Sequence, residues 1–329
     1  MKVKLLFSLW VVAVAWVTAH PAFACPSLSK ARSLYLDGKI DEALTALHCL
    51  EKGYPRDLDV KRLISDIYWW QGNVDASLAV AAEGEKLNPW LEDPDTAIHL
   101  AERLRPWRLT ASIDEIWGDQ QSGTEYFGLL DYRFEGRDHI SAGFSRVARN
   151  YSGGQSYDDR IFRAGYVRLQ GKRSYIDTEV TYSPDHAFSA EYSAGVEPHY
   201  VLVDDSDVSL LLEYLHYTEQ NAVLVSPGWR HIFGLWTFQA NLKFLVSDDV
   251  LPSVQLSAGY FLSPKTQVSA SFGFGRALEG PGLEDSFDAA GGALTQYIDP
   301  SLALNLRGSI YRADLYSENR IALGADWFF

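Results

Sequence analysis

The sequence predicts an α+β multi-domain chain: a short helical repeat unit followed by an antiparallel transmembrane β-barrel of about 14 strands. Three observations lead there. Apolar and polar residues alternate with a period of two from Trp107 onward. Matching residues recur about 34 positions apart between Leu34 and Pro89. An export signal precedes both.

The signal occupies residues 1–24. Lys2 and Lys4 lead into an apolar run from Leu5 to Val17, and Ala22-Phe23-Ala24 forms a small-x-small cleavage site. Cleavage is expected after Ala24. The run is short for a membrane anchor and breaks at His20-Pro21. Cys25 follows the site directly, so two fates stay open for it. One is lipidation, which Ala22 and Phe23 fit poorly. The other is a disulfide with Cys49, which an oxidising compartment permits. Without a His or Asp cluster at ligand spacing, the two cysteines do not make a metal site. No cofactor is implied.

Residues 25–106 read as helices. Leu34 matches Tyr68, Tyr35 matches Trp69, Gly38 matches Gly72, Asp41 matches Asp75, Leu44 matches Leu78 and Pro55 matches Pro89. A glycine between two helices and a proline after the second is the tetratricopeptide pattern. Gly38 and Gly72 let the backbone turn. Asp41 and Asp75 put carboxylates in a first turn, where the helix dipole favours them. A third helix, Asp95 to Leu104, is expected to cap the stack. Trp69, Trp70 and Trp90 read as packing residues rather than peptide-binding ones. Such units stack to bury their faces, and the stacked surface is a candidate docking site for a periplasmic protein. A plug or spacer at the barrel mouth is the alternative.

Residues 107–329 read as the barrel, with Pro106 ending the last helix. Trp236, Phe238, Ala240, Leu242 and Phe244 alternate with Thr237, Gln239, Asn241 and Lys243. Similar alternation runs through Val254–Tyr260, Val268–Phe274, Leu302–Ile310 and Ile176–Tyr182. The ending carries Ile321, Leu323, Trp327 and Phe329 on one face, the pattern of a closing strand and insertion signal with girdle aromatics. Short connections such as Gly136-Arg137-Asp138 and Phe233-Gly234 are expected on one rim. Longer polar loops are expected on the other: Asp119–Thr124, Tyr151–Asp158, Pro184–Ser189, Thr218–Asn221, Ser247–Pro252, Glu279–Ser286 and Ala313–Asn319. An even strand count leaves both barrel ends on the periplasmic side. A soluble β-sandwich would also alternate, but with strands of about 5–6 residues.

The formal net charge is −14, which argues against nucleic acid as a partner. The abundance of Tyr and Trp suits interfaces between lipid and water. Implied partners are outer-membrane lipid and lipopolysaccharide, and the machinery that assembles barrels.

An exported chain with two tetratricopeptide-like units and a barrel closing on Asp326-Trp327-Phe328-Phe329 resembles the YaiO-type outer-membrane β-barrel family. Gly228-Trp229 and Gly234-Leu235-Trp236-Thr237-Phe238 carry the rest of the likeness. More distantly, the layout is similar to exporters of cellulose and poly-N-acetylglucosamine. The resemblance implies passage of a polymer through the barrel. Those exporters carry long repeat arrays, whereas two units are found here.

Function would then sit in the lumen. The candidate inward residues are Arg108, Asp114, Asp131, Arg133, Asp177, Glu179, Gln239, Lys243, Asn305, Arg307 and Asp326. Both signs occur, so no ring of one charge is visible. Opposed charges can also pair across a barrel and fill it. His139, His186, His199, His216 and His231 stand at no convincing spacing from a Ser or a carboxylate, and Gly-x-Ser-x-Gly is absent, so no catalytic residues are assigned. Asp248-Asp249 and Glu284-Asp285 with Asp288 read as solvated acidic loops rather than cation sites. The expectation is a non-enzymatic conduit for a polysaccharide or polar solute in the outer membrane of a Gram-negative bacterium. The alternatives are a non-conducting barrel that displays loops, and an outer-membrane lipid-modifying hydrolase.

Overall fold

Among the described residues, four helices lead into one closed antiparallel barrel of fourteen strands. The computed structural model describes residues 25–87 and 103–329, except 135–137, 171–173, 188, 204–205, 219, 264, 279–283, 300 and 315. The expected signal peptide, Trp90 and most of the expected capping helix lie outside the described residues.

The helices are α1 (Leu28–Leu36), α2 (Ile40–Gly53), α3 (Leu58–Trp70) and α4 (Val74–Lys86). They form two pairs built to the same plan. After α1, Gly38 takes a left-handed φ of 82°, and Lys39 N–H donates to Leu34 C=O while Gly38 N–H donates to Tyr35 C=O. After α3, Gly72 takes φ 75°, and Asn73 N–H donates to Tyr68 C=O while Gly72 N–H donates to Trp69 C=O. Both ends are therefore the same two-bond cap, which needs a residue tolerant of positive φ. Four helices are too few to establish a tetratricopeptide array. Their apolar faces meet in a core holding Leu47, Ile64 and Ile67 at 0% exposure. Cys25 is joined to Cys49, which ties the start of the described chain to α2.

Lys61 is buried in α3 and bridges Glu51 of α2 and Glu83 of α4 at 3.0 Å each. Burial alone would push the Glu51 carboxyl up, but bonds from Lys61 and His48 outweigh it and hold it below 4.5. Burial likewise opposes the Lys61 charge, and its two carboxylate partners outweigh that and raise it above 10.5. A depressed carboxyl gives stability that is present above its unfolded pKa and lost as pH falls through the folded one. A raised ammonium gives stability that is lost only as pH climbs past its folded value. Amide protection in α2 and α3, taken relative to the intrinsic exchange rate at each pH, is thus expected to be greatest on a plateau at neutral pH. It should fall below about pH 4.5 and again in strong alkali. Protection unchanged down to pH 3 would remove the bridge from the account.

The strands are β1 (Trp107–Gly118), β2 (Gln121–Arg133), β3 (His139–Tyr151), β4 (Ser156–Leu169), β5 (Ser174–Tyr182), β6 (Tyr192–Val203) and β7 (Ser206–His216), then β8 (Asn221–Phe233), β9 (Trp236–Val246), β10 (Val250–Ser263), β11 (Thr266–Leu278), β12 (Glu284–Asp299), β13 (Leu302–Ala313) and β14 (Ser317–Phe328). Each pairs with its sequence neighbour, and β1 pairs with β14 from Arg108↔Phe328 to Gly118↔Glu318. Trp107 and Phe329 exchange two backbone hydrogen bonds at the seam, 3.1 and 2.9 Å. The seam's rim is also where the helices enter the barrel.

The register gives each face its chemistry. Leu306, Leu323 and Ile113 lie opposite one another across β13, β14 and β1, and all three are more than a third exposed. Their chain neighbours Arg307, Ala322 and Asp114 share the other face. Aromatic residues collect at the outward rims. Trp107 packs on Tyr132 at 4.4 Å between centroids, Trp327 on Phe329 at 4.8 Å and Trp236 on Tyr260 at 4.5 Å. Trp117, Tyr182, Tyr192 and Tyr214 are exposed toward the opposite end.

The expected contrast in loop length is corrected. Strands take over most of the polar stretches read as long loops, leaving 119–120, 152–155, 217–220, 247–249 and 314–316. The 279–283 connection lies outside the described residues. Residues 183–191 form the one longer described connection on that side. The reason is that ladder pairing does not need apolar side chains. Gln121↔Tyr151 and Ala148↔Asp158 pair as well as the greasy middle does, so the wall continues beyond its apolar band.

Two prolines interrupt this wall. Pro198 and Pro227 sit near the middles of β6 and β8 and lack the N–H a ladder needs. Pairing of β6 with β7 skips from Val196↔Leu212 to His199↔Ser209, and pairing of β8 with β9 skips from Val225↔Phe244 to Gly228↔Asn241.

Candidate functional site

The inner face of the barrel is the candidate site, because charged residues of β1–β9, β13 and β14 follow the inward register. The register puts all eleven predicted inward residues on the face opposite the exposed apolar ones. Arg108 lies across from Asp131, Asp114 from Ala322, Asp177 from Glu197, Gln239 from Arg230 and Lys243 from Ser253. Arg133 and Glu179 follow Asp131 and Asp177 by two residues. Asn305 lies across from Gly324, and Asp326 from Thr110.

Three groupings emerge. At the helix-side mouth, Asp326 accepts from Thr110 Oγ1 at 2.6 Å and from Asn305 Nδ2 at 2.7 Å, with Arg108 Nε 3.6 Å away. Arg108 also stands 3.6 Å from Asp131. Arg105, Arg108, Arg133 and His139 surround a hollow of about 150 Å³ there. Above this mouth Arg103 donates to Asp66 at 2.7 Å and lies over the Trp69 ring at 4.5 Å, while Arg105 donates to Glu85 at 3.0 Å. Burial lowers the Arg103 pKa despite Asp66. These bonds tie the helices to the start of β1.

Toward the other mouth a network crosses β3, β2, β1 and β14. Arg149 donates to Glu318 at 2.6 Å and to Gln121 at 2.8 Å, and Gln121 donates to Glu318 at 2.9 Å. Arg320 reaches Glu318 at 3.0 Å, Glu125 at 3.2 Å and Asp114 at 3.8 Å. Sequence reasoning missed Arg149, Glu318, Arg320 and Glu125 as site residues. Position parity along β2, β3 and β14 was the signal that places them inward.

The third grouping is a separation of charge. Asp177, Glu179, Glu197 and Glu213 face inward near the middles of β5, β6 and β7. Among the described residues Asp177, Glu179 and Glu213 carry no ion pair, and Glu197 reaches His199 at 3.5 Å. Half a ring away from β6 stands β13 with Arg307. Arg307 and Lys243 have no ion pair among the described residues. The carboxylates of β5–β7 thus concentrate acid on one side of the lumen, with Arg307 of β13 facing them across it.

The 183–191 loop is bonded to the inner face at the end away from the helices. Asp159 of β4 is 1% exposed. It accepts from Ala187 N–H at 2.8 Å, Ser189 N–H at 2.9 Å and Ser189 Oγ at 2.8 Å. His186 Nε2 lies 2.8 Å from Thr218 Oγ1, so the 183–191 loop is also held to the 217–220 turn. Asp159→Ala is expected to release the loop, since bonds to a charged acceptor contribute about 1.5–3 kcal/mol each. Cleavage within 183–191 by added protease should then run at least tenfold faster than in the wild type, read by mass spectrometry of the fragments. Equal cleavage would show that Asp159 does not hold the loop.

Not every inward residue is polar. Leu215, Ala222, Leu224, Leu245 and Leu251 follow the inward register at the loop end of β7–β10, and Leu251 and Ala222 are at most 1% exposed. A period of two cannot announce these, because Phe244-Leu245-Val246 is apolar on both faces.

No protein-family model matches the chain, and no curated protein matches it. Solved structures are similar in barrel architecture. Outer membrane protein Omp33 of Acinetobacter baumannii matches with a TM-score of 0.45 and 12% identity, over 68% of this chain and 98% of that one. A bacterial polysaccharide outer membrane secretin matches at 0.48 and 9%, over 68% and 99%. The translocator domain of the autotransporter NalP from Neisseria meningitidis matches at 0.41 and 12%, over 68% and 88%.

Proposed function

We propose that residues 107–329 span the outer membrane of a Gram-negative bacterium and conduct a polysaccharide or polar solute, with residues 25–106 on the periplasmic side. One observation carries this reading: the closed wall is apolar outside and charged inside, with unpaired acid and base on facing strands. Every backbone group in lipid needs an internal partner, which a closed barrel supplies. The charges inside hold water and orient a solute that carries its own dipoles. The apparent export signal supplies the route, and the even strand count supports a periplasmic position for the helices. The two like helix pairs act as a tetratricopeptide-type surface that docks a partner and passes cargo to the mouth, in keeping with the YaiO-type resemblance.

A second reading, a barrel that does not conduct, is favoured by the Arg149–Gln121–Glu318–Arg320 network and the loop held on Asp159. Planar-bilayer recording separates the two. The conduit reading expects stable ion conductance from the full chain and loss of polymer or solute passage when the gene is deleted. Silent bilayers and unchanged passage would favour the closed barrel.

A further inference from the structure

We propose that the inner wall of β11–β14 and β1 holds a binding subsite for a hydroxylated carboxylate the size of one sugar residue, of the uronate class. Two cross-strand rows build it. The first runs Ser269–Ala293–Arg307–Ala322–Asp114. The second runs Ser271–Gly291–Ser309–Arg320. These rows line a cavity of about 300 Å³, at the lower end of the range for small-molecule sites.

The residue types explain why the space exists and what it takes. Ala293 and Ala322 flank Arg307 with a single methyl each, and Arg307 stays exposed among the described residues. Arg320 is already engaged by Glu318 and Glu125 and stands 3.8 Å from Asp114 Oδ2, whereas Arg307 has no carboxylate partner among the described residues. A guanidinium fork matches a carboxylate in two parallel hydrogen bonds. Asp114 lies two strands away in the same row, is 8% exposed, and its Oδ1 has no hydrogen-bond partner among the described residues. A buried acceptor without a donor is costly, and a ligand hydroxyl would supply that donor. The hydroxyls of Ser269, Ser271 and Ser309 both donate and accept, as a sugar's own hydroxyls require. An anion without a hydroxyl, such as acetate, would satisfy Arg307 but not Asp114. A neutral sugar would do the reverse. A carboxylate bearing several hydroxyls satisfies both.

The subsite rests on the conduit reading for its access from both mouths, but its occupancy is measured separately. Equilibrium dialysis of the full-length protein in detergent uses labelled D-glucuronate, D-glucose and acetate. Glucuronate is expected to bind at least tenfold more tightly than the other two. Arg307→Met is expected to weaken it tenfold or more, and Ala322→Leu, which fills the gap between Arg307 and Asp114, to do the same. Arg307→Lys serves if Met impairs closure, and the mobility of unheated samples on a gel verifies that each barrel is closed. Absent binding, or binding unchanged in closed Arg307→Met or Arg307→Lys and in Ala322→Leu barrels, overturns the subsite. Glucuronate bound by a barrel that passes no current sinks the conduit and leaves the subsite standing. Current that glucuronate never interrupts, with no dialysis signal, does the opposite.

Discussion

Leu323→Arg is expected to destabilise the barrel by about 2–4 kcal/mol in lipid. Leu323 is 60% exposed, and its row mates Leu306 and Ile113 are exposed too. In water, a change at such a position shifts stability by no more than about 0.5 kcal/mol. The large cost arises only where the exposed face touches hydrocarbon, since a guanidinium there loses its hydration. Leu306→Arg should behave alike. Ser257→Arg on β10 is the inward control, because Ser257 shares the register of Gln239. Its shift should stay within about 0.5 kcal/mol, as for a water-facing position away from packed features. Urea titration in lipid vesicles, read by unheated gel mobility, measures all three. A Leu323→Arg midpoint equal to that of the wild type would overturn the membrane reading of this wall.

Ile64→Ala should cost the helical unit about 2–5 kcal/mol, the range for removing a fully enclosed aliphatic side chain. Ile64 is 0% exposed in the core that joins α1, α2 and α3. Three features resist collapse around the missing atoms: the Cys25–Cys49 link, the Lys61 bridges and the mutual hydrogen bonds of Ser65 and Ser77. The lost volume is therefore expected to persist as a void. The helical signal at 222 nm in the full chain should disappear at lower urea, while the barrel keeps its unheated mobility. Joint loss of both signals at one midpoint would mean that the two parts fold as a single unit.

Much of the fold was legible because two periods are physically unlike. A repeat of two needs only alternating faces, and β9, β11, β13 and β14 show it over their whole middles. The 34-residue offset was legible because Gly38 and Gly72 answer the same backbone demand. Strand ends were not legible. Beyond the outer apolar band the sequence loses its apolar partner while the ladder goes on, as Gln121 and Ser156 illustrate. The partners inside were not legible either. Gln121, Arg149 and Glu318 meet only because closure brings β14 beside β1. Parity could place each on the inner face, but not one against another. The inward leucines of β7–β10 were hidden for a different reason: alternation assigns every apolar residue to lipid, and Leu251 belongs to the lumen.

The seam between Trp107 and Phe329 has a consequence for biogenesis. Hairpins between consecutive strands can zip locally, but the joint of β1 with β14 unites positions that are distant along the polypeptide, and such closures are slow. Until residues 318–328 arrive, the first stave keeps one raw edge that invites stray pairing. The wall therefore cannot close until β14 is in place beside β1. Joining β1 to β14 seals the sheet, and damage to either stave would leave every other hairpin intact yet no watertight cylinder.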